Sequence, residues 1–132
     1  MLYLSKEQAE ILLAHSKKGF PNEVCGILAG KGEKVEKTYQ MANSDKSAET
    51  FFMDPQEQLK VMKEIRNQDM EMIGIYHSHP HTKSYPSAHD VELAFYPEAS
   101  YVIVSLKDQD NPSIRSFKVV EGKISEEELI IK

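Results

Sequence analysis

The chain has 132 residues and a formal net charge of −5 at pH 7, with 40% hydrophobic and 28% charged residues. This length predicts a single domain over residues 1–132 with a substantial core. The acidic balance argues against a nucleic-acid partner. No apolar run is long enough to span a bilayer, no signal peptide is recognisable, and one cysteine cannot form an internal disulfide. We therefore expect no membrane partner and a cytoplasmic location.

A helix and two strands are predicted in the first third of the chain. A capping box starting at Ser5 and the apolar spacing after it predict a helix over residues 5–18, with residues 1–4 running directly into it. Residues 24–29 form a continuous apolar run, which is typical of a strand buried on both faces. Residues 34–41 alternate with period 2 and are expected to form its partner strand.

Four residues in the first half of the chain are site candidates. Glu23 precedes the buried strand, where a glutamate in isolation is more often a solvated end residue. Cys25 is expected to be a small core residue, since no Cys-His-Asn arrangement accompanies it. Phe51 and Phe52 follow a polar loop and could line a groove, although core packing is the stronger expectation.

The second half begins with a clear helix start. Residues 54–57 combine a capping aspartate, a proline at the first helical position and an acid at the third. Leu59, Met62 and Ile65 are expected to form the buried stripe of this helix. The remaining predicted elements are a strand ending in a histidine pair, a helix from Ser87 to Phe95 that Pro97 ends, and strands over residues 101–106, 113–120 and 124–131.

Two histidines end the apolar run that follows this second helix. Side chains at i and i+2 of a strand share one face, so the imidazoles of His77 and His79 point the same way. Ile73 and Ile75 have the same parity, so the face that buries them leads to the histidines. Pro80 then ends the strand, because it has no N–H to donate.

A polar loop separates the histidine pair from Ser87 and Asp90. Two imidazoles and one carboxylate provide three ligands for a divalent metal, the number that catalytic zinc usually takes from protein. Each part also has a simpler interpretation: the two histidines could be a polar surface pair, and Ser87 with Asp90 could be only a helix capping box. The occurrence of both parts in this order is much harder to explain in that way. His81 and His89 are not expected to be ligands, since His89 lies about 100° around the helix from Asp90.

The order of these residues resembles the JAMM (MPN+) metalloprotease motif: His77-x-His79-Pro80, six residues, Ser87-x-x-Asp90, and an upstream glutamate at Glu23. The resemblance covers nearly the whole chain. It implies an α/β fold of the cytidine-deaminase-like MPN type, with a mixed, curved β-sheet flanked by helices. It also implies that the two histidines and Asp90 bind one Zn²⁺ per chain. Glu23 would then act as the general base, and Ser87 would donate a hydrogen bond to the oxyanion.

The resemblance further implies a peptidase or isopeptidase acting on an amide bond at the C-terminal tail of a ubiquitin-like or sulfur-carrier protein. The short stretch over residues 50–70 leaves little room for long insertions, which favours a compact prokaryotic-type member. Two alternatives stay open: an inactive scaffold module with the same fold, and a metal hydrolase of small peptides or amides. Zinc deaminases are excluded, because their His-x-Glu and Pro-Cys-x-x-Cys patterns are absent. Nothing in the sequence specifies an oligomeric state.

Overall fold

A computed structural model describes all 132 residues, which form eight strands and three helices. In chain order these are β1 (Leu2–Leu4), α1 (Lys6–Gly19), β2 (Cys25–Lys31), β3 (Lys34–Met41), α2 (Pro55–Asn67), β4 (Glu71–His79), α3 (Ala88–Glu92), β5 (Ser100–Ser105), β6 (Ser113–Val120), β7 (Lys123–Glu127) and β8 (Leu129–Ile131). One sheet contains all eight strands in the order β7-β6-β5-β4-β2-β3-β1-β8. β4 and β5 pair in parallel, as β1 does with both its neighbours, and the other pairs are antiparallel. The expected mixed sheet is therefore confirmed.

The sheet curls until its two edges approach each other. β7 and β8 lie at opposite edges, yet only Glu128 separates them along the chain. The carbonyl of Glu128 accepts a hydrogen bond from the N–H of Leu2 at 2.9 Å. This confirms the expected curvature. The prediction of one strand over residues 124–131 is wrong, because the chain changes edges at Glu128. Residues 1–4 also do more than lead into the helix, since Leu2–Leu4 pairs as a strand.

Two hydrophobic cores lie on the two faces of the curved sheet. Neighbouring residues of β2 separate them: Leu28 belongs to the first core and Ile27 to the second, as alternation along a strand requires. α1 covers the first core through Leu12, and α2 covers the second through Ile65. The helices therefore flank the sheet as expected. None of the three is long and apolar enough to cross a membrane.

Both long helices begin where the sequence places their caps. The Oγ of Ser5 accepts a hydrogen bond from the N–H of Gln8, and Asp54 caps α2 just before its first residue, Pro55. The predicted buried stripe of α2 is wrong at Leu59, which is 56% exposed. The helix instead turns Val61 and Ile65 toward the second core, because residues four apart lie on one face.

The third helix is shorter than predicted. It ends at Glu92, and Leu93 caps it, so the chain leaves the helix well before Pro97. None of its residues is fully buried, and Val91 alone among them packs against the second core, so little apolar burial supports the helix beyond its capped first turn. Phe95, expected inside the helix, lies beyond it and is 70% exposed.

Candidate metal centre

The side chains of His77, His79 and Asp90 converge where β4 ends and α3 begins. The two Nε2 atoms are 3.0 Å apart, and they lie 3.1 Å and 3.0 Å respectively from the Oδ2 of Asp90. Ligand atoms of a tetrahedral zinc site lie about 3.3 Å apart. The three atoms are thus within a few tenths of an ångström of the spacing that one ion imposes on its ligands.

Central strands of the sheet hold the two histidines. β4 lies between β2 and β5, and the pairing places His77 opposite Cys25 and His79 opposite Ser105. His77 and His79 are almost fully buried. The residues that fix them are therefore supplied by neighbouring strands on both sides.

A β-bulge alters the strand face that leads to the histidines. The pairing passes from Leu28 opposite Gly74 to Ala29 opposite Met72, which leaves Ile73 unpaired. Ile73 packs in the first core, whereas Ile75 packs in the second. The expectation that both isoleucines share the ligand face is therefore wrong for Ile73. Beside the bulge, β5 approaches Gly74 closely: the carbonyl oxygen of Ser100 lies 3.0 Å from the point where a Cβ of residue 74 would stand.

The start of α3 aims the carboxylate. The Oγ of Ser87 accepts a hydrogen bond from the N–H of Asp90 at 3.1 Å, and the Oδ2 of Asp90 accepts one from the N–H of Ser87 at 2.9 Å. This is a complete capping box. The same geometry directs Oδ2 toward both histidines. Asp90 can therefore cap the helix and act as a metal ligand at the same time.

The hydrogen bonds at the site fit a cation between these three side chains. The Nδ1–H of His79 is placed to donate to the carbonyl of Lys83 at 2.8 Å, which leaves the lone pair of a neutral ring on Nε2. That lone pair faces the carboxylate oxygen, which is also an acceptor. The Oδ1 of Asp90 and the Nδ1 of His77 are buried with no partner. A cation bound at the centre would satisfy the converging lone pairs, so these residues fit the zinc that the JAMM resemblance implies.

Electrostatics set the protonation of these groups. Burial opposes ionisation of Asp90, but hydrogen bonds from His77 and His79 outweigh it and hold the pKa of Asp90 far below its usual range. Burial lowers the pKa of His77. For His79 burial acts in the same direction, but hydrogen bonds to Asp90 and to the carbonyl of Lys83 prevail and raise its pKa. Protons therefore compete with a metal mainly at His79.

Glu23 lies beside the three converging side chains. β2 and β4 are antiparallel with Cys25 opposite His77, so the continued register places Glu23 opposite His79. Glu23 is 4% exposed, and its Oε1 has no hydrogen-bond partner. Burial raises the pKa of Glu23 to about 8; the charge of His79 opposes this rise and that of Asp90 adds to it. In the metal-free protein the carboxyl group of Glu23 therefore keeps its proton at pH values where an ordinary glutamate is ionised.

Ser78 secures the backbone next to Glu23. Its Oγ accepts a hydrogen bond from the N–H of Val24 at 2.9 Å, and its own N–H donates to the carbonyl of Val24 at 3.0 Å. Tyr76, also on the face away from the ligands, contacts the Nδ1 of His15 through its hydroxyl at 2.7 Å. The side chains of Tyr76 and Ser78 therefore lie on the face of β4 opposite the ligands, as alternation along a strand requires.

An apolar groove adjoins the ligands. Phe51 stacks on the ring of His77, with ring centroids 4.6 Å apart. The groove holds a cavity of about 110 Å³. Phe52, Pro86, Leu93 and Phe95 also line the groove. Phe52 is 45% exposed, so the stronger expectation of core packing is wrong for Phe52, while Phe51 is half-buried against the site.

Other candidate side chains do not join the cluster. Cys25 is fully buried, and burial raises its pKa to about 12, which confirms it as a core residue. His81 packs edge-on against Phe20, and His89 has a buried Nε2 with no partner. The sequence did not reveal the part played by the carbonyl of Lys83, because every residue carries a carbonyl and side-chain identity gives no signal for one.

Comparisons with known proteins agree with this geometry. Residues 5–120 match the model of a family described as prokaryotic homologs of the JAB domain. A CysO-cysteine peptidase of Mycobacterium tuberculosis is 36% identical over 129 residues, covering 96% of this chain and 88% of the relative. A desampylase of Pyrococcus furiosus is 36% identical over 110 residues, covering 83% of this chain and 76% of the relative.

Solved structures show the same architecture. The solution structure of a Desulfitobacterium hafniense protein superposes with a TM-score of 0.90 at 44% identity, covering 100% of this chain and 93% of that one. A JAB1/MPN domain protein from Archaeoglobus fulgidus gives a TM-score of 0.66 at 21% identity, covering 99% and 98% of the two chains. The second likeness shows the fold alone, and it confirms the expected MPN fold class.

The fold and the His-His-Asp cluster together define a metallopeptidase of the JAMM type. The chain belongs to the family of prokaryotic homologues of the JAB domain.

Proposed function

We propose that this chain is a zinc-dependent peptidase that hydrolyses an amide bond at the C-terminal tail of a small sulfur-carrier or ubiquitin-like protein. The observation that carries the proposal is the convergence of His77, His79 and Asp90 beside the buried, unpartnered carboxyl group of Glu23. The names of the relatives support the substrate class: one describes a peptidase for CysO-cysteine, and the other a desampylase.

One Zn²⁺ per chain would be held by the Nε2 atoms of His77 and His79 and a carboxylate oxygen of Asp90. When bound, zinc supplies a Lewis acid that brings the pKa of a water molecule to roughly 7. The protein orients the ligands for this ion: the carbonyl of Lys83 fixes the ring of His79, and the N–H of Ser87 fixes the carboxylate of Asp90.

Glu23 is proposed to move the proton. It accepts the proton of the attacking water and gives it to the leaving amine. The fold gives this carboxyl group a pKa of about 8 before metal binds, and a cation beside it would lower that pKa toward neutrality, the range in which general acid–base catalysis contributes about 10²–10⁴ in rate. Its burial also keeps the group free of competing hydrogen bonds.

Ser87 is proposed to stabilise the oxyanion. Its Oγ accepts the hydrogen bond from the N–H of Asp90, so the hydroxyl proton is available for donation. A serine cap at a helix start is held rigidly by this bond. Loss of such a preorganised donor costs on the order of 10²–10³ in rate.

The substrate tail is proposed to bind along residues 50–53. The side chain of Asn43 bonds the carbonyl of Thr50 and the N–H of Phe52, both at 3.0 Å. Successive residues of an extended chain direct their main-chain groups to opposite sides, so those of Phe51 point away from Asn43. They make no hydrogen bond within the chain. An extended substrate tail can form hydrogen bonds with these main-chain groups of Phe51 as an added strand. The tail would then lie next to the Phe51 ring, which stacks on the ring of His77.

Incubation of the zinc-loaded protein with a carrier protein extended beyond its C-terminal Gly-Gly tests the proposal. The extension is a single cysteine in one substrate and an isopeptide-linked protein in another. We expect mass spectrometry to show cleavage after the last glycine of at least one, and no cleavage by Glu23→Gln at equal zinc content. Intact substrates after prolonged incubation with zinc-loaded wild-type protein would reject the substrate class.

A further inference from the structure

The Nδ1 of His79, the ring nitrogen that faces away from the metal centre, forms its hydrogen bond with a loop rather than with a strand. Its Nδ1 lies 2.8 Å from the carbonyl of Lys83, in the segment between β4 and α3. The same carbonyl accepts a hydrogen bond from the N–H of Tyr85 at 2.9 Å. Because the ring orientation and tautomer of a ligating histidine are set by the partner of its other nitrogen, the position of this carbonyl matters for the metal centre.

Two buried hydroxyl groups anchor the loop on either side of Lys83. The hydroxyl of Ser105 donates to the carbonyl of Thr82 at 2.6 Å. The hydroxyl of Ser84 lies 2.8 Å from that of Ser113 on β6. Ser84 and Ser105 are 3% and 4% exposed. Neither hydroxyl group caps a helix or takes part in main-chain pairing between strands. Their hydrogen bonds hold the loop that carries Lys83 against β5 and β6.

The hydroxyl of Ser105 is itself oriented. Its oxygen accepts a hydrogen bond from the N–H of Lys107 at 3.2 Å, which directs its proton toward Thr82. Ser105 also pairs directly with His79 across β4 and β5, and the N–H of Leu106 donates to the carbonyl of His79 at 3.1 Å. One end of β5 therefore contacts both the ligand and the loop that orients it.

We propose that Ser105 is a positioning residue of the metal centre: by holding the carbonyl of Thr82, its hydroxyl keeps the carbonyl of Lys83 on the Nδ1–H of His79 and so leaves Nε2 free to bind metal. This inference rests on the proposed metal site. It assigns to Ser105 no contact with metal or substrate. Removal of the hydroxyl takes away the donor that holds the carbonyl of Thr82 in a partly buried hydrogen bond, which favours movement of the loop.

The test measures zinc affinity and the tautomer of His79 separately. Ser105→Ala should raise the zinc dissociation constant about tenfold, the lower end of the effect of a direct outer partner, in competition with a chromogenic chelator. In the metal-free variant at alkaline pH, ring ¹⁵N–¹H correlation spectra should show His79 losing its Nδ1–H population. Ser105→Thr, which keeps a hydroxyl, should restore both readings.

Ser16→Ala is the matched control. Ser16 is fully buried and donates its hydroxyl to the carbonyl of Leu12 at 2.8 Å, which is the same kind of bond made within α1 and not to the loop that holds Lys83. It should lose similar stability with no change in zinc affinity or tautomer. If Ser105→Ala does not fold, Ser113→Ala removes the other anchor and should shift both readings in the same direction.

Unchanged zinc affinity and an unchanged His79 tautomer in a folded Ser105→Ala variant would overturn the inference. Equal losses of zinc affinity in Ser105→Ala and Ser105→Thr would also overturn it, because they would indicate a packing effect and not an effect of the hydroxyl group. The outcome is independent of the substrate. A wild-type protein that cleaves no carrier, but whose zinc affinity falls on Ser105→Ala, would refute the proposed substrate and support the positioning role.

Discussion

The Nε2 atom of His77 lies 3.0 Å from the Nε2 atom of His79, while the Nδ1–H of His79 is directed to a carbonyl. A neutral His79 therefore has no proton to place between the two rings, and the carboxylate of Asp90 faces both. A neutral His77 can carry its own proton on Nε2, since its Nδ1 has no partner, but without that proton or a bound cation three electron-rich atoms at this spacing repel one another. The fold supplies the rigidity that maintains this arrangement.

Metal binding should follow from that arrangement. We expect about one zinc ion per chain for the wild-type protein and for His81→Ala, and loss of zinc from His77→Ala. Because a bound ion stabilises only the folded state, zinc should raise the Tm of the wild-type protein and have little effect on His77→Ala. Elemental analysis and thermal unfolding measure both. Equal zinc content in His77→Ala and His81→Ala would contradict the ligand assignment.

Glu23→Gln should separate catalysis from metal binding. The substitution keeps the shape of the side chain but removes its ability to take up a proton, so we expect kcat to fall about 10²–10⁴-fold. Zinc content should not change, since Glu23 is not among the three converging ligands. Steady-state cleavage assays and elemental analysis provide the two readings. A variant with wild-type kcat would refute the proposed base.

The metal-free protein should show a pH dependence due to Glu23. Its folded-state pKa of about 8 lies above the ordinary value of 4.5, so between these pH values the unfolded chain loses a proton that the folded chain keeps. The contribution of Glu23 to stability therefore falls as pH rises through this window.

Glu23→Gln removes that contribution. Metal-free Glu23→Gln should gain stability relative to metal-free wild type on the order of a few kcal/mol as pH rises from about 4.5 to 8, with no further change above. Urea unfolding across this range measures the difference. A constant difference between the two proteins would show that the carboxyl group of Glu23 does not titrate with a raised pKa.

Gly26 should tolerate no side chain. A Cβ at this position would lie 2.1 Å from Cε1 of Tyr76 and 2.5 Å from the carbonyl oxygen of Tyr39. Tyr76 is fully buried and its hydroxyl contacts His15, so the ring has little freedom to move. Gly26→Ala should cost about 1–3 kcal/mol or more in chemical denaturation. Combination with Tyr76→Leu should recover part of this loss, and strict additivity of the two changes would contradict the clash.

Phe95 should act on substrate binding rather than on stability. It is 70% exposed and lines the groove beside His77 and Asp90. Phe95→Ala should therefore raise KM several-fold, consistent with loss of about 1–2 kcal/mol of apolar contact, and leave kcat and Tm near their wild-type values. Leu59→Ala, on an exposed face of α2 outside the groove, is the control. Equal kinetics for both variants would exclude the groove from substrate binding.

The sequence alone determined the features that depend on neighbouring residues. The caps at Ser5, Asp54 and Ser87 form as predicted, because each needs only a side chain and an N–H two or three residues away. The i, i+2 spacing of His77 and His79 is enough to put both rings on one face of a strand. These local rules, with the resemblance of the motif, indicated the ligand set and the fold class.

Only the tertiary structure decided the features that depend on pairing between distant segments. The register between β2 and β4 brings Glu23 to His79, and the bulge at Ile73 reverses the facing of earlier β4 side chains. The carbonyl of Lys83 reaches His79 through loop anchors on other strands. Strand register and loop position minimise the free energy of the whole chain, through burial and main-chain hydrogen bonds that any residue can supply, so no short stretch of sequence encodes them.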